Sequence, residues 1–230
     1  MIKIGGFQKL TLLDYPRKTA CTVFTYGCNF RCPFCHNALL VTKQTQALVD
    51  AQEVFAHLEK RQGVLDGVCI TGGEPLLQNG LFEFIQKIKS MGYLVKLDTN
   101  GKLYPRLEVL IKSGLVDYVA MDIKNSPEKY AITCGLADID FESIEKSKNL
   151  IMQSGVDYEF RTTAVAQLHN PDDFEKIGEF ISGAKRYYIQ GFEDSGNLIC
   201  SGLSALDNET MQKCLEKALN YVPAAQLRGV

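Results

Sequence analysis

No stretch of this 230-residue sequence approaches the roughly 18–20 consecutive apolar residues that a membrane span requires. The opening residues, MIKIGGFQKLTLLDYP, lack the basic start, apolar core and cleavage site of a secretory leader. A cytoplasmic location is therefore the expectation. No basic block interrupts a net charge of −2, so the chain offers no nucleic-acid footprint. No low-complexity linker divides it. One domain spanning 1–230 is expected, with 1–19 as an N-terminal extension and 205–222 as a C-terminal helix. A second CxxC pair is also absent, and eight cysteines without paired spacing do not read as a disulfide framework.

What the chain does contain is TYGCNFRCPFCHN, three cysteines within eight residues at Cys28-x3-Cys32-x2-Cys35. Cysteines this close on a polar loop hold metal more often than they pack a core. The other five, Cys21, Cys69, Cys134, Cys200 and Cys214, are scattered and read as small buried apolar side chains.

Around this loop the chain alternates strands and helices. Short runs rich in β-branched and aromatic residues mark strands at 20–26, 67–71, 93–99, 117–123, 158–165 and 186–192. Between them lie apolar stripes at helical spacing: Ala51, Val54, Phe55 and Leu58 behind a cap at Asp50; Leu81, Ile85 and Ile88; Leu107, Leu110 and Ile111. Asn170-Pro171 reads as a helix start, followed by Phe174, Ile177 and Ile181, and a last helix begins near Asp207. Six βα units in succession imply a parallel sheet with right-handed crossovers, either an open doubly wound sheet or a full or partial barrel. Both place ligands at the carboxyl ends of the strands.

Those ends carry the cysteine loop, Thr71-Gly72-Gly73-Glu74-Pro75, Asp98-Thr99-Asn100-Gly101, Asp122-Ile123-Lys124, Arg161 to Thr163, and Gln190-Gly191-Phe192. A purely structural sheet has no reason to concentrate carboxylates, Lys and Arg there. Structural zinc would want a second pair of ligands, and His36 adjoins Cys35 too closely for both to reach one small ion. A four-cysteine electron carrier needs another cysteine nearby, and none of the five sits in a motif. A [4Fe–4S] cubane on three thiolates leaves one iron open, as catalysis requires.

Cys28-x3-Cys32-x-Phe34-Cys35 resembles the signature of the radical SAM superfamily, and Gly72-Gly73-Glu74-Pro75 is similar to its glycine-rich motif. GGFQKLTLLDYP, FTYGCNFRCPFCHN, LDTNG and MDIK together resemble the glycyl-radical-enzyme activating proteins, most nearly those of anaerobic ribonucleoside-triphosphate reductase, over roughly residues 5–192. The resemblance implies a partial (β/α)6 TIM-like barrel of parallel strands. It also implies reductive cleavage of S-adenosylmethionine to a 5′-deoxyadenosyl radical, which takes hydrogen from a glycine of a partner enzyme. The cofactors implied are a [4Fe–4S] cluster, S-adenosylmethionine and, in some members, a monovalent cation. The partners implied are a glycyl radical enzyme, anaerobic ribonucleotide reductase foremost, and an electron donor such as flavodoxin or ferredoxin.

Residue by residue, the likeness gives Cys28, Cys32 and Cys35 the iron. Phe34 and the backbone of His36 would lie against the adenine, and Gly72 and Gly73 against the methionine part. Glu74 would shape that turn or pair with the ammonium. Asp98 and Asp122 fall near the ammonium and the cation, Lys124 near the carboxylate or ribose, with Arg161 a similar candidate. Gln190 stands where some relatives place a sixth-strand histidine. No catalytic side chain is expected beyond the cluster and cofactor. Plainer readings exist: Asp98 as a cap for Asn100-Gly101, Asp122 and Lys124 as a surface pair, Arg161 as a solvated strand residue, His57 at the surface and His169 in a loop. Arg17 replaces a glycine common after the DYP motif, which puts in doubt any turn there needing positive φ. Two rivals remain: a radical SAM enzyme acting on a small molecule, and a non-catalytic iron–sulfur or zinc protein.

Overall fold

Strand order in space follows strand order in sequence. In the computed structural model, which describes residues 2–42 and 49–229, one sheet runs β1 (Ile4–Thr11), β2 (Ala20–Thr25), β3 (Gly67–Gly72), β4 (Leu94–Thr99), β5 (Tyr118–Asp122), β6 (Asp157–Ala164), β7 (Tyr187–Gly191) and β8 (Ala225–Arg228). β1 is antiparallel to β2, and every later neighbour pair is parallel. A doubly wound sheet would break this order at a switch point. None occurs among the described residues, so the arrangement is that of a partial barrel. The six expected strands lie within two residues of their predicted bounds. Two more flank them: β1 arises from the N-terminal extension, and β8 follows the C-terminal helix.

The helices form where apolar spacing and caps coincide. They are α1 (Ala38–Thr42), α2 (Ala51–Lys60), α3 (Leu81–Ser90), α4 (Tyr104–Lys112), α5 (Tyr130–Thr133), α6 (Phe141–Gln153), α7 (Pro171–Phe180) and α8 (Asn208–Leu219). Asp50 caps α2 by accepting from the Gln52 amide at 2.8 Å. Asn170 and Asp173 close a reciprocal capping box at α7. Val54, Leu58, Ile85, Ile88, Leu107, Phe174 and Ile177 are all buried against the sheet's outer face. Burial of each such side chain stabilises by about 1.5–3 kcal/mol.

The two faces of the sheet differ in kind. Val68, Ile70, Val95, Leu97, Val119, Met121 and Phe160 join the apolar cluster under the helices. Their alternates, Cys69, Lys96, Asp98, Asp122, Glu159 and Arg161, face the barrel interior, as the two-residue strand period requires. Tyr15, from the β1–β2 turn, packs on Tyr118 with ring centroids 5.9 Å apart and belongs to a separate small cluster with Ala20 and Ala120. It seals the end of the barrel where the parallel strands begin. Arg17 in the same turn has φ 59°, so the turn keeps its positive φ without glycine. Among the described residues, no helix is long and apolar enough to cross a membrane.

Candidate active site

The cysteine loop leaves β2 and is tied down on several sides by backbone bonds. Gly73 N donates to Thr25 O at 2.9 Å, Glu74 N to Gly27 O at 2.8 Å, and Arg31 N to Cys134 O at 2.8 Å. Cys200 N reaches Pro33 O at 3.0 Å. The β3–Gly72-Gly73 turn thus lies directly on the loop: a Cβ on Gly73 would stand 1.9 Å from Gly27 O. Glycine is needed at Gly73 for this close approach and at Gly72 for its φ of 116° as well.

Cys28, Cys32 and Cys35 all carry free thiols and open onto one cavity of about 380 Å³ at the carboxyl ends of the strands. Phe34, His36, Gly72 and Gly73 line it from the same side. Asp98, Asp122, Lys124, Arg161 and Gln190 line it from the strand ends. Burial pushes the Cys28 thiol up to about 12 and raises Cys35. Cys32 goes the other way, held below the ordinary thiol value because the neighbouring Cys134 thiol hydrogen-bonds to it and outweighs burial, with Lys124 assisting. Metal binding therefore has to displace protons from Cys28 and Cys35. Among the described residues, no three Cys, His, Asp or Glu side chains converge tightly enough to hold a single ion; the three thiols share a cavity wall instead.

Across the cavity runs a half-buried chain of alternating charge that starts at the buried Lys96. Lys96 contacts Asp98 from below. Arg161 donates from Nη1 and Nη2 to Asp98 Oδ2 at 3.2 Å and from Nε to Asp122 Oδ1 at 3.0 Å. Lys124 Nζ donates to Asp122 Oδ2 at 2.9 Å. Deeper still, Glu159 accepts from the Tyr118 hydroxyl at 2.8 Å and lies 3.9 Å from Arg161. Burial alone would raise both aspartates. At Asp98, Arg161 and then Lys96 outweigh it; at Asp122, Lys124 and then Arg161 do, and both carboxyls are held below their ordinary values. Arg161 is thus the bridge between two carboxylates rather than a solvated strand residue. Asp122 and Lys124 are no surface pair.

One expectation needs correction, and two others gain detail. Glu74 does not line the cavity and meets no cation among the described residues. It is fully buried and accepts from Leu76 N at 3.0 Å, Thr99 Oγ1 at 2.9 Å and Asn100 N at 2.7 Å. Burial pushes its carboxyl up to about 7 against those three bonds. Of its two expected roles, only the turn-shaping one survives, and Glu74 rather than Asp98 holds the turn at Asn100. His169 lies in a loop as expected, but a buried one: its Nδ1 accepts from Val165 N at 3.2 Å and its Nε2 reaches Lys124 O at 2.9 Å. That contact fixes the backbone that carries Lys124. The His36 ring stacks on Phe192 at 5.8 Å and bonds Glu193 O at 2.8 Å, contacts the sequence did not show.

Several neighbours of the site escaped the sequence reading. Lys96 had a usable signal, since it stands two residues before Asp98 on the same strand face. Asn29 had none, because what an amide does depends on a partner distant in sequence.

The chain matches the family model described as the Radical SAM superfamily over residues 22–181. It is 34% identical over 194 residues to a Methanocaldococcus jannaschii protein named by inference as a glycyl-radical enzyme activating enzyme, covering 83% of this chain and 80% of that one. A pyruvate formate-lyase-activating enzyme of Listeria monocytogenes is 30% identical over 173 residues, covering 69% of this chain and 68% of that one. Among solved structures, Streptococcus suis SuiB bound to S-adenosylmethionine superposes with a TM-score of 0.67 at 17% identity, covering 88% of this chain and 48% of that one. That last likeness speaks to the fold alone.

Proposed function

Because the chain belongs to the radical SAM superfamily, among its glycyl-radical enzyme activating enzymes, we propose that it is the activase of an anaerobic ribonucleoside-triphosphate reductase, with a flavodoxin or ferredoxin as electron donor. The observation that carries the reading is the sharing of one cavity by three free thiols, the Gly73 cradle and a half-buried chain of paired carboxylates.

The residues present fit a [4Fe–4S] cluster and S-adenosylmethionine. Soft thiol donors suit iron–sulfur binding, and the cavity wall beside them is cleared of side chains at Gly72 and Gly73. Cys28, Cys32 and Cys35 would hold the cluster. Gly72, Gly73, Asp98 and Asp122 would take the amino-acid end of the cofactor; Phe34 and His36 would take the adenine. Lys124, Arg161 and Gln190 would meet its carboxylate and ribose. When bound, these groups supply reductive cleavage of the cofactor and hydrogen abstraction from the partner's glycine.

This chain's own contribution is orientation and exclusion of water. Arg161 keeps Asp98 and Asp122 ionised and fixed, so each presents an acceptor without having to reorganise. Phe34, buried beneath Lys124 Nζ at 5.9 Å, keeps the thiol side apolar. A protein substrate also suits the size of the cavity, which lies near the lower end of the roughly 300–1,000 Å³ of small-molecule pockets. Cluster and cofactor together would leave little room for a second small molecule, whereas a glycine segment can enter from outside.

Anaerobic iron reconstitution is the first test. The expected result is a [4Fe–4S] signal that changes on adding S-adenosylmethionine; zinc at one per chain with no iron uptake would refute the reading. Cys32→Ala is expected to abolish cofactor cleavage, measured as 5′-deoxyadenosine release. Mixing the loaded protein with anaerobic ribonucleotide reductase should give a glycyl radical signal. A signal with pyruvate formate-lyase alone would reassign the partner.

A further inference from the structure

Gly72 and Gly73 share one peptide unit, and no side chain on either residue restrains its rotation. Two hydrogen bonds do so instead, one at each end of the unit. Gly73 N donates to Thr25 O at 2.9 Å. Gly72 O accepts from Asn37 Nδ2 at 3.1 Å, across 35 positions of sequence. Gly72 lies beyond Ile70↔Leu97, the last pair of the β3–β4 ladder, so that ladder does not hold its carbonyl. Asn37 follows the third cysteine closely and lines the cavity together with Gly72 and Gly73; all three are half-buried. A carbonyl oxygen only accepts, so the Asn37 atom facing it must be the amide nitrogen. Asn37 is itself anchored at the start of α1, where its carbonyl accepts from Leu40 N at 2.9 Å.

We propose that Asn37 is a positioning residue: it pins the Gly72–Gly73 peptide so that the Gly72 carbonyl is set to accept from the ammonium of S-adenosylmethionine. The inference rests on the functional reading above, which gives Gly72 and Gly73 the amino-acid end of the cofactor. That end offers an ammonium, which only donates, and a carboxylate, which only accepts. A carbonyl can therefore pair with the ammonium alone. The oxygen has two lone pairs, and Asn37 engages one of them. Without Asn37 the peptide keeps its bond to Thr25 at one end and is free to swing at the other. Cofactor binding would then carry the cost of fixing it.

Two measurements test this, the first on iron-free protein. Hydrogen exchange at the Gly73 amide is expected to quicken about tenfold in Asn37→Ala. An unchanged rate would show that the peptide is held without Asn37 and would overturn the inference. The second is the dissociation constant of S-adenosylmethionine, from equilibrium dialysis on reconstituted protein with its cluster oxidised, so that no turnover occurs. Asn37→Ala should weaken binding about tenfold. For the analogue with hydrogen in place of the α-amino group, the same substitution should weaken binding less than about twofold, because that ligand makes no use of the carbonyl. Equal losses for the two ligands would mean that Asn37 merely shapes the cavity, and would overturn the inference alone. Asn37→Ser, whose side chain is shorter, is expected to match the alanine variant and replaces it should alanine fail to load. Failure of both to take up iron would make Asn37 a cluster-assembly residue and overturn the inference too. A wild type that takes up no iron overturns the functional reading, and this inference with it.

Discussion

A Cβ on Gly73 would stand 1.9 Å from Gly27 O, and one on Gly72 would stand 2.2 Å from Thr25 N. Both obstacles are backbone atoms on the strand and loop that carry the cysteines, so neither can rotate away. Gly73→Ala is therefore expected to push the β3 turn off the loop, at a cost of about 1–3 kcal/mol from overpacking. Iron bound per chain should drop alongside the denaturation midpoint; an alanine variant with wild-type stability and loading would show that the contact is not needed. The GGEP run was legible as a motif, but its physical reason was not. The sequence pattern pointed to a ligand that the backbone could approach, whereas the shortest approach in the structure is to Gly27.

At the level of elements, the turn after β4 hangs on one buried carboxylate from the turn after β3. Glu74 accepts three hydrogen bonds at once. In Glu74→Gln one acceptor oxygen becomes an NH2, which must face either the Asn100 amide or the Leu76–Thr99 pair. The expected loss is about 1–3 kcal/mol, measured by urea denaturation on the alkaline side of its raised pKa, where the wild-type group is ionised. Stability unchanged from wild type would mean that the turn holds itself. The strands were readable for a related reason. Val, Ile, Tyr and Phe recur at 20–26, 117–123 and 158–165, where both sheet faces are covered. β1 reads IGGFQKLT with three of its eight residues exposed in a row, and β8 has only four residues; neither leaves a burial pattern that sequence alone can recover. α6 also went unread, although Asp140 caps it and Ile144, Ser147 and Ile151 form its buried face.

For the molecule as a whole, the charges inside the barrel matter to acid stability. Asp98 and Asp122 are both held below the ordinary carboxylate value. A depressed pKa contributes stability that is fully present above the unfolded value near pH 3.9, and that is lost as pH falls from there through the folded value. Asp122→Asn should therefore be less stable than wild type near neutrality, with the gap narrowing as acid protonates the wild-type group. Melting temperatures from about pH 7 down to about pH 3 would check this, and a gap independent of pH would refute it. The sequence placed these charges at neighbouring strand ends but could not show that Arg161 joins them, because the bridge depends on barrel curvature.

The cysteine loop, finally, is bonded through its backbone to the turn after β3, to the end of α5 and to the segment after β7. These partners are all protein atoms, so folding by itself is expected to meet the loop's ordering entropy. Loading should resemble docking into a rigid seat, not coupled folding and binding. Hydrogen exchange offers the measure: the Arg31 and Glu74 amides should already be protected in iron-free protein and gain little when iron is added. Large gains in protection on loading would show instead that the cluster builds its own site.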